Sequence, residues 1–209
     1  MRVAGVQANL HEPPIEARDG SDVVHRTGLR ALRRLLEREG RVVATEQPVA
    51  EGSFTGWIDL LGFDEAIARL LVTEFKSELH DLGATERQVE RYARAALVPA
   101  RAHGWRPREI VVALVVLATR EADAFVWSNR AELAAAFPMR GRTATRAILD
   151  RGPIEGRALL ALDPLRVGRR QLTSFRVDGR RRPFGLERAS DLRRLLEERR
   201  RPRGRSGAR

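Results

Sequence analysis

Residues 55–77, TGWIDLLGFDEAIARLLVTEFKS, decide how this chain is expected to fold. The stretch holds two apolar runs, 57–63 and 70–75, and each has the length of a mostly buried strand. A short polar link joins the runs. Each run also carries an acid, Asp59 in the first and Glu74 in the second, where burial disfavours a charge. These two acids single out the stretch as a candidate functional site.

A hairpin centred between Ala66 and Ile67 places Asp59 directly opposite Glu74. Opposite residues on neighbouring strands have Cβ atoms about 5 Å apart. Lys76 points to the same face as Glu74, because side chains on a strand alternate with a period of two residues. Two carboxylates and one lysine are therefore expected on one half-buried surface. Carboxylates held that close repel each other unless a cation lies between them.

Asp59 and the Glu-Phe-Lys triplet at 74–76 together resemble the core motif of the PD-(D/E)xK nuclease superfamily. The predicted order of elements, a helix, a three-stranded meander, a helix and a strand, is similar to the fold of that superfamily. The chain most resembles actinobacterial PD-(D/E)xK domain proteins that are often fused to helix-turn-helix regulators. Those proteins carry Gly-x-x-Asp, Glu-x-Lys and Thr-Arg segments, which match 56–59, 74–76 and 119–120 here. The resemblance covers roughly 27–162, and order and context carry it because the motif is short.

The resemblance implies an α/β protein with a three-layer α/β/α restriction-endonuclease-like core, αβββαβ, around a mixed sheet of four to five strands. It also implies a metal-dependent DNA phosphodiesterase. Asp59, Glu74 and the backbone carbonyl of Phe75 offer hard oxygen ligands of the kind that Mg²⁺, or Mn²⁺ in its place, takes. Lys76 is expected to orient or deprotonate the attacking water. The alternative is a non-catalytic DNA-binding or regulatory module that retains the nuclease fold.

Two further acids, Glu46 and Glu37, are candidate metal ligands. A hairpin centred on 52–53 sets Glu46, in the predicted strand 41–50, opposite Asp59. The proteins that the chain resembles also tend to carry a Glu in this strand, and an ordinary edge-strand glutamate is the alternative. Glu37 competes with it because some members of the superfamily donate an acid from the first helix. The number of metals depends on these two residues.

Candidate nucleic-acid contacts are polar residues that follow the catalytic strand or end the next strand: Gln88, Tyr92, Arg87, Arg91 and Arg120. Gln88 and Tyr92 lie one helical turn apart and share a face. This spacing is similar to a Gln-x-x-x-Tyr element that contacts DNA in RecB-like members, and packing of Tyr92 in the core is the alternative. Arg120 lies where ligands of open sheets gather, and pairing with Glu121 or Asp123 is its alternative.

The first helix is predicted from Ser21 or Asp22 to about Glu39, with Gly40 as its stop. Its leucines form an apolar stripe. Its other face is basic, which is typical of a solvated surface and also suits contact with phosphates; this face consists of Arg30, Arg33, Arg34 and Arg38. The other predicted elements are helices at 84–103, 122–137, 144–150 and 186–199, strands at 109–118, 158–162 and 171–177, and a turn at 178–179.

The charge of the chain divides it into a neutral body and a basic tail. Residues 1–164 hold 23 basic and 23 acidic residues, whereas 165–209 hold 16 arginines and 5 acids, so the net charge of +11 lies in the tail. We expect a mobile leader at 1–21, a nuclease-like domain at 22–164 and an Arg-rich extension at 165–209 that is partly helical with a disordered end. Such a tail suggests attraction to a polyanion, and a solvated tail from arginine-rich composition is the alternative.

Composition excludes several classes of protein. The absence of cysteine excludes disulfides and thiolate metal sites. No segment has the length of a membrane span, and the amino-terminal sequence is not a secretory signal. A cytoplasmic protein is expected, with association with the nucleoid compatible with DNA as its main partner. A second copy of the chain and a helix-turn-helix regulator are further candidate partners. The four histidines, at 11, 25, 80 and 103, lack metal-ligand spacing and are expected at the surface.

Lys76 is the only lysine among 39 lysines and arginines. Arginine is bulky, planar and permanently charged, whereas the lysine amine is compact and can change its pKa when it is buried. A composition that otherwise uses arginine for every positive charge thus retains lysine within the Glu-x-Lys segment. This position favours a chemical role for Lys76, and chance survival of one lysine is the alternative.

Overall fold

The structure is a computed structural model and describes residues 19–51, 54–175 and 183–200. The predicted turn at 178–179, most of the predicted leader and the predicted disordered end lie outside these residues. In chain order the elements are α1 (Asp19–Arg38), β1 (Val42–Glu51), β2 (Phe54–Asp64), β3 (Arg69–Lys76), α2 (Leu82–Ala95), α3 (Leu97–Ala102), β4 (Glu109–Leu117), α4 (Arg120–Ser128), α5 (Arg130–Ala136), β5 (Met139–Arg140), α6 (Gly141–Leu149), β6 (Ala158–Leu162), a 3-10 helix (Gly168–Gln171), β7 (Leu172–Thr173) and α7 (Ala189–Arg200).

The strands form one mixed sheet in the order β1-β2-β3-β4-β6-β5, with β7 paired to β6. Strands β1, β2 and β3 form an antiparallel meander, and β3, β4, β6 and β5 run parallel. The order from α1 to β4 is the predicted αβββαβ, with α3 as a short continuation of α2. The sheet has seven strands rather than the expected four or five. The two additional strands, β5 and β7, are two residues long each.

Helices cover both faces of the sheet, which confirms the three-layer α/β/α class. Buried residues of α1, α6 and α7 pack against one face, and those of α2, α3, α4 and α5 against the other. Strand β4 packs against both helix layers. Ala113 and Val115 pack on the α1 side, and Leu114 and Val116 pack on the opposite side. Such a strand is buried on both faces, and its sequence is therefore one continuous apolar run.

Two predicted helices are each broken in two by a local feature. The helix expected at 84–103 ends at Ala95 and restarts at Leu97. The cause is Pro99, whose ring clashes with the carbonyl four residues earlier, here that of Ala95. The helix expected at 122–137 is interrupted at Asn129. The side-chain amide of Asn129 donates to the carbonyl of Phe125 at 2.8 Å and so ends α4.

Helix α7 packs beside α1, with Leu192 completely buried in the cluster that contains the leucines of α1. The described part of the basic C-terminal segment therefore contributes to the core. No helix in the described ranges combines the length and the apolar character that a membrane crossing requires.

A buried ion cluster closes the turn between β2 and β3. Asp64 accepts a hydrogen bond from Arg151 Nε at 2.9 Å and lies 3.7 Å from Arg41 Nη2. Asp64 and Arg41 are both buried, at 1% and 6% exposure. The Nη1 atom of Arg41 has no hydrogen-bond partner in the described part of the chain. The carboxylate of Asp64 is thus the counter-charge that makes burial of Arg41 tolerable.

Candidate active site

The pairing of β2 with β3 confirms the predicted hairpin register. The last paired row is Leu60 opposite Thr73. The next row in that register is the predicted pair Asp59 and Glu74, but this row is not part of the observed ladder. The two acids lie where the ladder between β2 and β3 stops, next to the carboxyl end of β3.

Strand β2 is irregular at Asp59. Ile58 and Leu60 pack on opposite faces of the sheet, although residues two apart on a regular strand share a face. The Asp59 carboxylate caps the backbone of β3, since its Oδ2 accepts from the Phe75 N–H at 2.7 Å. Its Oδ1 lies 3.2 Å from Nε2 of His25. Asp59 therefore links the end of β3 to helix α1.

The expectation that all four histidines lie at the surface is wrong for His25. Its ring packs at 5.4 Å from the ring of Phe75, in a tilted arrangement, and its side chain is about a third exposed (31%). Burial favours neutral imidazole, but the hydrogen bond and charge of Asp59, together with the charge of Glu74, raise the pKa of His25 above its ordinary value. His25 is a site residue that the sequence reasoning missed.

The position of His25 on α1 would have revealed it. His25 precedes Leu29, Leu32 and Leu36 by four, seven and eleven residues, which is the spacing of one helix face. A polar residue on that apolar stripe must face the sheet, here near Asp59 in the middle of β2 and near the carboxyl end of β3.

Gly28 lets α1 approach β3 closely enough for this contact. A β-carbon on Gly28 would lie 2.2 Å from Cζ of Phe75, a ring that is itself completely buried. The helix backbone thus crosses directly over the Phe75 ring, and His25 lies one turn earlier on the same helix. The close approach at Gly28 sets the distance between His25 and Asp59.

Replacing Gly28 by alanine is expected to destabilise the protein by about 1–3 kcal/mol, the usual cost of overpacking a core. This loss exceeds the gain of about 1 kcal/mol in helix propensity from glycine to alanine. The variant should also separate His25 from Asp59, which an NMR titration of the imidazole would show as a lower pKa. Unfolding in urea, followed by circular dichroism, measures the stability.

Gly83→Ala is the matched control, because the closest atom to a β-carbon there would be the flexible end of Arg87, at 3.2 Å, and Asp81 Oδ1 would be at an ordinary contact distance of 3.6 Å. We expect Gly83→Ala to be neutral or stabilising. A Gly28→Ala protein as stable as the wild type, with an unchanged His25 titration, would contradict the role assigned to the close approach.

Glu74 and Lys76 are joined to α2 by a chain of polar contacts. Glu74 Oε1 lies 2.7 Å from Lys76 Nζ. The Lys76 ammonium also donates to Gln88 Oε1 at 3.0 Å, and Gln88 Nε2 donates to the Tyr92 hydroxyl at 2.9 Å. Tyr92 is buried and packs in the core. Gln88 and Tyr92 thus share the predicted face of α2, and in this structure that face holds Lys76 in place.

The second carboxylate oxygen of Glu74 is the atom that defines the site. Glu74 is only 4% exposed, and its Oε2 is buried without a hydrogen-bond partner in the described ranges. Burial, and secondly the charge of Asp59, raise the pKa of Glu74 to about 8 against the opposing effect of Lys76. An unpartnered buried carboxylate oxygen beside a second acid fits a bound cation, because a cation would replace the proton that the pair otherwise holds.

The described residues contain no group of three or more His, Asp or Glu side chains arranged to hold a metal. Glu46 is opposite Asp59 in register, but its row is missing from the ladder between Thr45 and Gln47. Its backbone has φ = 52°, the left-handed region that non-glycine residues seldom adopt. Its side chain lines a cavity of about 190 Å³ together with residues of α1 such as Arg33.

Glu37 is not brought to Asp59. It accepts from Arg33 Nε at 2.7 Å on the exposed side of α1. Glu37 follows His25 by twelve residues, so the rise of the helix separates them by about 18 Å. The acids that the structure brings together are Asp59 and Glu74, with His25 and Lys76.

The predicted arginines have three different surroundings. Arg87 is exposed on α2, and the Arg91 guanidinium lies 5.1 Å from the centre of the Phe54 ring. Arg120 pairs with Glu187 at 3.1 Å and donates to the Phe184 carbonyl. These two contacts join Arg120 to the C-terminal segment.

Trp57 is an exposed aromatic residue that the prediction did not single out. It is 55% exposed and precedes Asp59 by two residues, which is about 7 Å along a strand. Its backbone hydrogen-bonds the Tyr92 hydroxyl. A flat apolar surface therefore lies next to the acidic pair.

Comparison of the chain with protein-family models, with curated proteins and with solved structures gives no match. The geometry itself defines the class: a three-layer α/β/α protein with two acids, a histidine and its only lysine at the end of its central strands.

Proposed function

We propose that this protein is a metal-dependent DNA phosphodiesterase of the endonuclease type, with a site similar to that of the PD-(D/E)xK nucleases. The observation that carries the proposal is the unpartnered, buried Oε2 of Glu74 beside Asp59 and Lys76. Two close acids, one of them with a buried carboxylate oxygen that Lys76 does not reach, are a costly arrangement without a further cation. Their presence together with the sole lysine of the chain is explained by a function that uses them.

Asp59 and Glu74, with the Phe75 carbonyl predicted from the resemblance, would hold Mg²⁺ or Mn²⁺, and His25 would orient Asp59. When bound, such an ion neutralises charge at the phosphate and lowers the pKa of a coordinated water. Lys76 would position the attacking water and stabilise negative charge that develops on the phosphate. Gln88 would keep the Lys76 ammonium in place through the hydrogen bond of 3.0 Å.

Nucleic acid is the proposed substrate because Trp57 and the arginines of α2 lie near the acidic pair. Exposed aromatic side chains next to basic ones are typical of surfaces on which bases stack while the backbone is neutralised. Arg87 and Arg91 are exposed on α2, the helix that also carries Gln88. A cytoplasmic, DNA-associated location is part of this proposal, and a second copy or a helix-turn-helix regulator as partner stays a prediction.

A second candidate is a DNA-binding or regulatory module that keeps the fold without catalysis. Two observations favour it: no three-donor metal group exists among the described residues, and Lys76 already forms an ion pair with Glu74. Under this alternative Lys76 is the permanent counter-charge of Glu74, and DNA binds without being cut.

Nicking of supercoiled plasmid and cleavage of single-stranded DNA, each with Mg²⁺ or Mn²⁺, test the proposal. Lys76→Ala and Asp59→Ala are expected to reduce the cleavage rate by about 10²–10⁴-fold, the usual range for loss of acid–base catalysis. Glu90→Ala is the matched control, because Glu90 is an exposed acid on α2 that pairs with Arg94, and it should cleave like the wild type.

Each outcome separates the candidates. Tight DNA binding by the wild type without any cleavage would favour the regulatory module. Cleavage that survives both Lys76→Ala and Asp59→Ala would show that the activity does not come from this site. A wild type that neither binds DNA nor responds to a divalent ion would exclude both candidates.

A further inference from the structure

A concave, arginine-lined cavity lies between α1, α7 and the segment that precedes β7. Its volume is about 450 Å³, within the range of pockets that hold small ligands. We call it the arginine groove, and its basic residues are Arg30, Arg34, Arg38, Arg166 and Arg199. Its remaining walls include Thr27, Gln171 and Leu196.

The arginine groove is separate from the site at Asp59. Arg34 follows His25 by nine residues on α1, which is two and a half turns at 3.6 residues per turn. The two side chains therefore leave the helix on opposite sides. His25 faces Asp59 and Phe75 of the sheet, whereas Arg34 lines the groove beside α7. A ligand in the groove does not reach the acidic pair.

Most of the groove's guanidinium groups lack a counter-charge. Among the described residues, Arg30, Arg34, Arg38 and Arg199 make no hydrogen bond or ion pair, and only Arg166 is paired, with Asp163. The neighbouring side of α1 differs, because Arg33 there pairs with Glu37 at 2.7 Å. Among the described residues, acids thus pair with an arginine on the neighbouring side of α1 but not with the α1 arginines that line the groove.

The arrangement of these arginines suits a multiply charged anion. Arg30, Arg34 and Arg38 recur every four residues, so they form a row along α1 with steps of about 6 Å. A row on a convex helix face would be solvated, but here α7 and Leu196 close the other side and make the surface concave. Guanidinium groups bind phosphate oxygens in a bidentate manner, which favours phosphate over a single carboxylate.

We propose that the arginine groove binds a ligand that carries two or more phosphate groups. Two sources share this chemistry: a free nucleoside polyphosphate, which would fill the cavity, and a nucleic-acid backbone, of which two or three phosphates would enter it. The proposal is independent of the proposed nuclease activity, because it uses none of the residues around Asp59.

Binding to the purified full-length chain tests the proposal, with calorimetry for tripolyphosphate and for a nucleoside triphosphate, and fluorescence anisotropy for a labelled single-stranded oligonucleotide. Arg34→Gln/Arg38→Gln is expected to weaken binding of the true ligand by about tenfold or more, because each hydrogen bond to a charged group makes a large contribution to the binding free energy. Arg142→Gln/Arg146→Gln removes the same charge from exposed positions of α6 and should change binding by less than about threefold, as weak surface electrostatics predict.

The probes identify the source of the phosphates. Sensitivity of tripolyphosphate and triphosphate binding to Arg34→Gln/Arg38→Gln would support a free polyphosphate ligand, and sensitivity of the oligonucleotide alone would support a nucleic-acid backbone. Arg34→Lys/Arg38→Lys, which keeps the charge but loses the bidentate geometry, should give an intermediate affinity. Glu90→Ala, which changes an exposed acid on α2 that lines neither site, should bind every probe like the wild type, whether or not the protein cleaves DNA.

Equal weakening by the groove pair and the α6 pair would show charge attraction without a site and would overturn the proposal. Failure of all three probes to bind at low salt would also overturn the proposal. Thermal unfolding of each variant verifies that the exposed substitutions leave the fold intact.

Discussion

Replacing Glu74 by glutamine is expected to abolish the proposed Mg²⁺-dependent cleavage while it stabilises the fold at neutral and alkaline pH. Glutamine keeps the shape of the side chain but removes the charge that would hold the ion. Since metal stabilisation of the transition state is worth several kcal/mol, we expect the rate to fall by about a hundredfold or more. The gain in stability follows because the charge of Glu74 is buried and its Oε2 has no partner among the described residues.

The pH dependence of this effect has a definite sign. The pKa of Glu74 is about 8 in the folded chain, against an ordinary value of 4.5. The unfolded chain therefore releases this proton first, and the free energy of unfolding of the wild type falls as the pH rises from about 4.5 to about 8. The slope is about 1.4 kcal/mol per pH unit where one proton separates the two states. Glu74→Gln should lack this contribution.

Denaturant unfolding at pH 5, 7 and 8.5, with and without Mg²⁺, measures both effects. At pH 8.5 Mg²⁺ should stabilise the wild type, because it binds the folded state alone, and should leave Glu74→Gln unchanged. Glu90→Gln, at an exposed position of α2, is the control and should follow the wild type at each pH. Parallel pH profiles for Glu74→Gln and the wild type, or cleavage by the variant, would contradict the assignment of Glu74.

Replacing Asp64 by alanine is expected to cause the largest loss of stability, about 3–5 kcal/mol, because it leaves the buried Arg41 without its counter-charge. The hydrogen bond and charge of Arg151, together with the charge of Arg41, overcome the effect of burial and hold the pKa of Asp64 below its ordinary value of 3.8. Its stabilising contribution is therefore complete above that value and is lost as the pH falls through the lower, folded pKa. At neutral pH the full loss should be seen in the urea midpoint.

Arg151→Gln is the matched control for this prediction. The Arg151 side chain is 48% exposed although it contacts the same carboxylate, and exposed ion pairs contribute only about 0–1 kcal/mol. The two partners of one ion pair should therefore differ several-fold in their effect. A loss for Asp64→Ala no larger than that for Arg151→Gln would show that Arg41 does not depend on Asp64.

The meander was predictable because its strands are long, apolar and interrupted by charges at informative positions. The strand at 158–162 was predicted with its observed bounds. A short apolar run between polar segments is typical of a buried strand. The strand β5 could not be predicted, because two residues carry no periodicity. The strand predicted at 171–177 is observed only at Leu172–Thr173, since Gln171 ends a 3-10 helix. The helix break after Ala95 depends on Pro99, and the break at Asn129 depends on one side-chain hydrogen bond. Neither cause changes the periodic apolar pattern from which the helices were predicted.

The candidate site was predictable only where a charge interrupts an apolar run. Asp59 and Glu74 meet that condition, and Lys76 directly follows the second run. The two hairpin registers are confirmed up to the rows next to Asp59 and Glu74. His25 was missed because metal-ligand spacing, rather than its helix face, was used to judge the histidines. The partner of Arg120 was missed because Glu187 is distant in sequence, and such pairings depend on tertiary structure.

The single lysine of this chain also limits how the protein can be handled. Reagents that acylate amines, among them common fluorophores, biotin esters and resin couplings, can react with only one side chain besides the terminal amine, and that side chain is Lys76. The Lys76 side chain is 30% exposed, so it is within reach of such reagents. A dye or a solid support attached in this way would therefore lie directly beside Glu74. A preparation modified through its amines would lose the ammonium group on which the proposed chemistry depends.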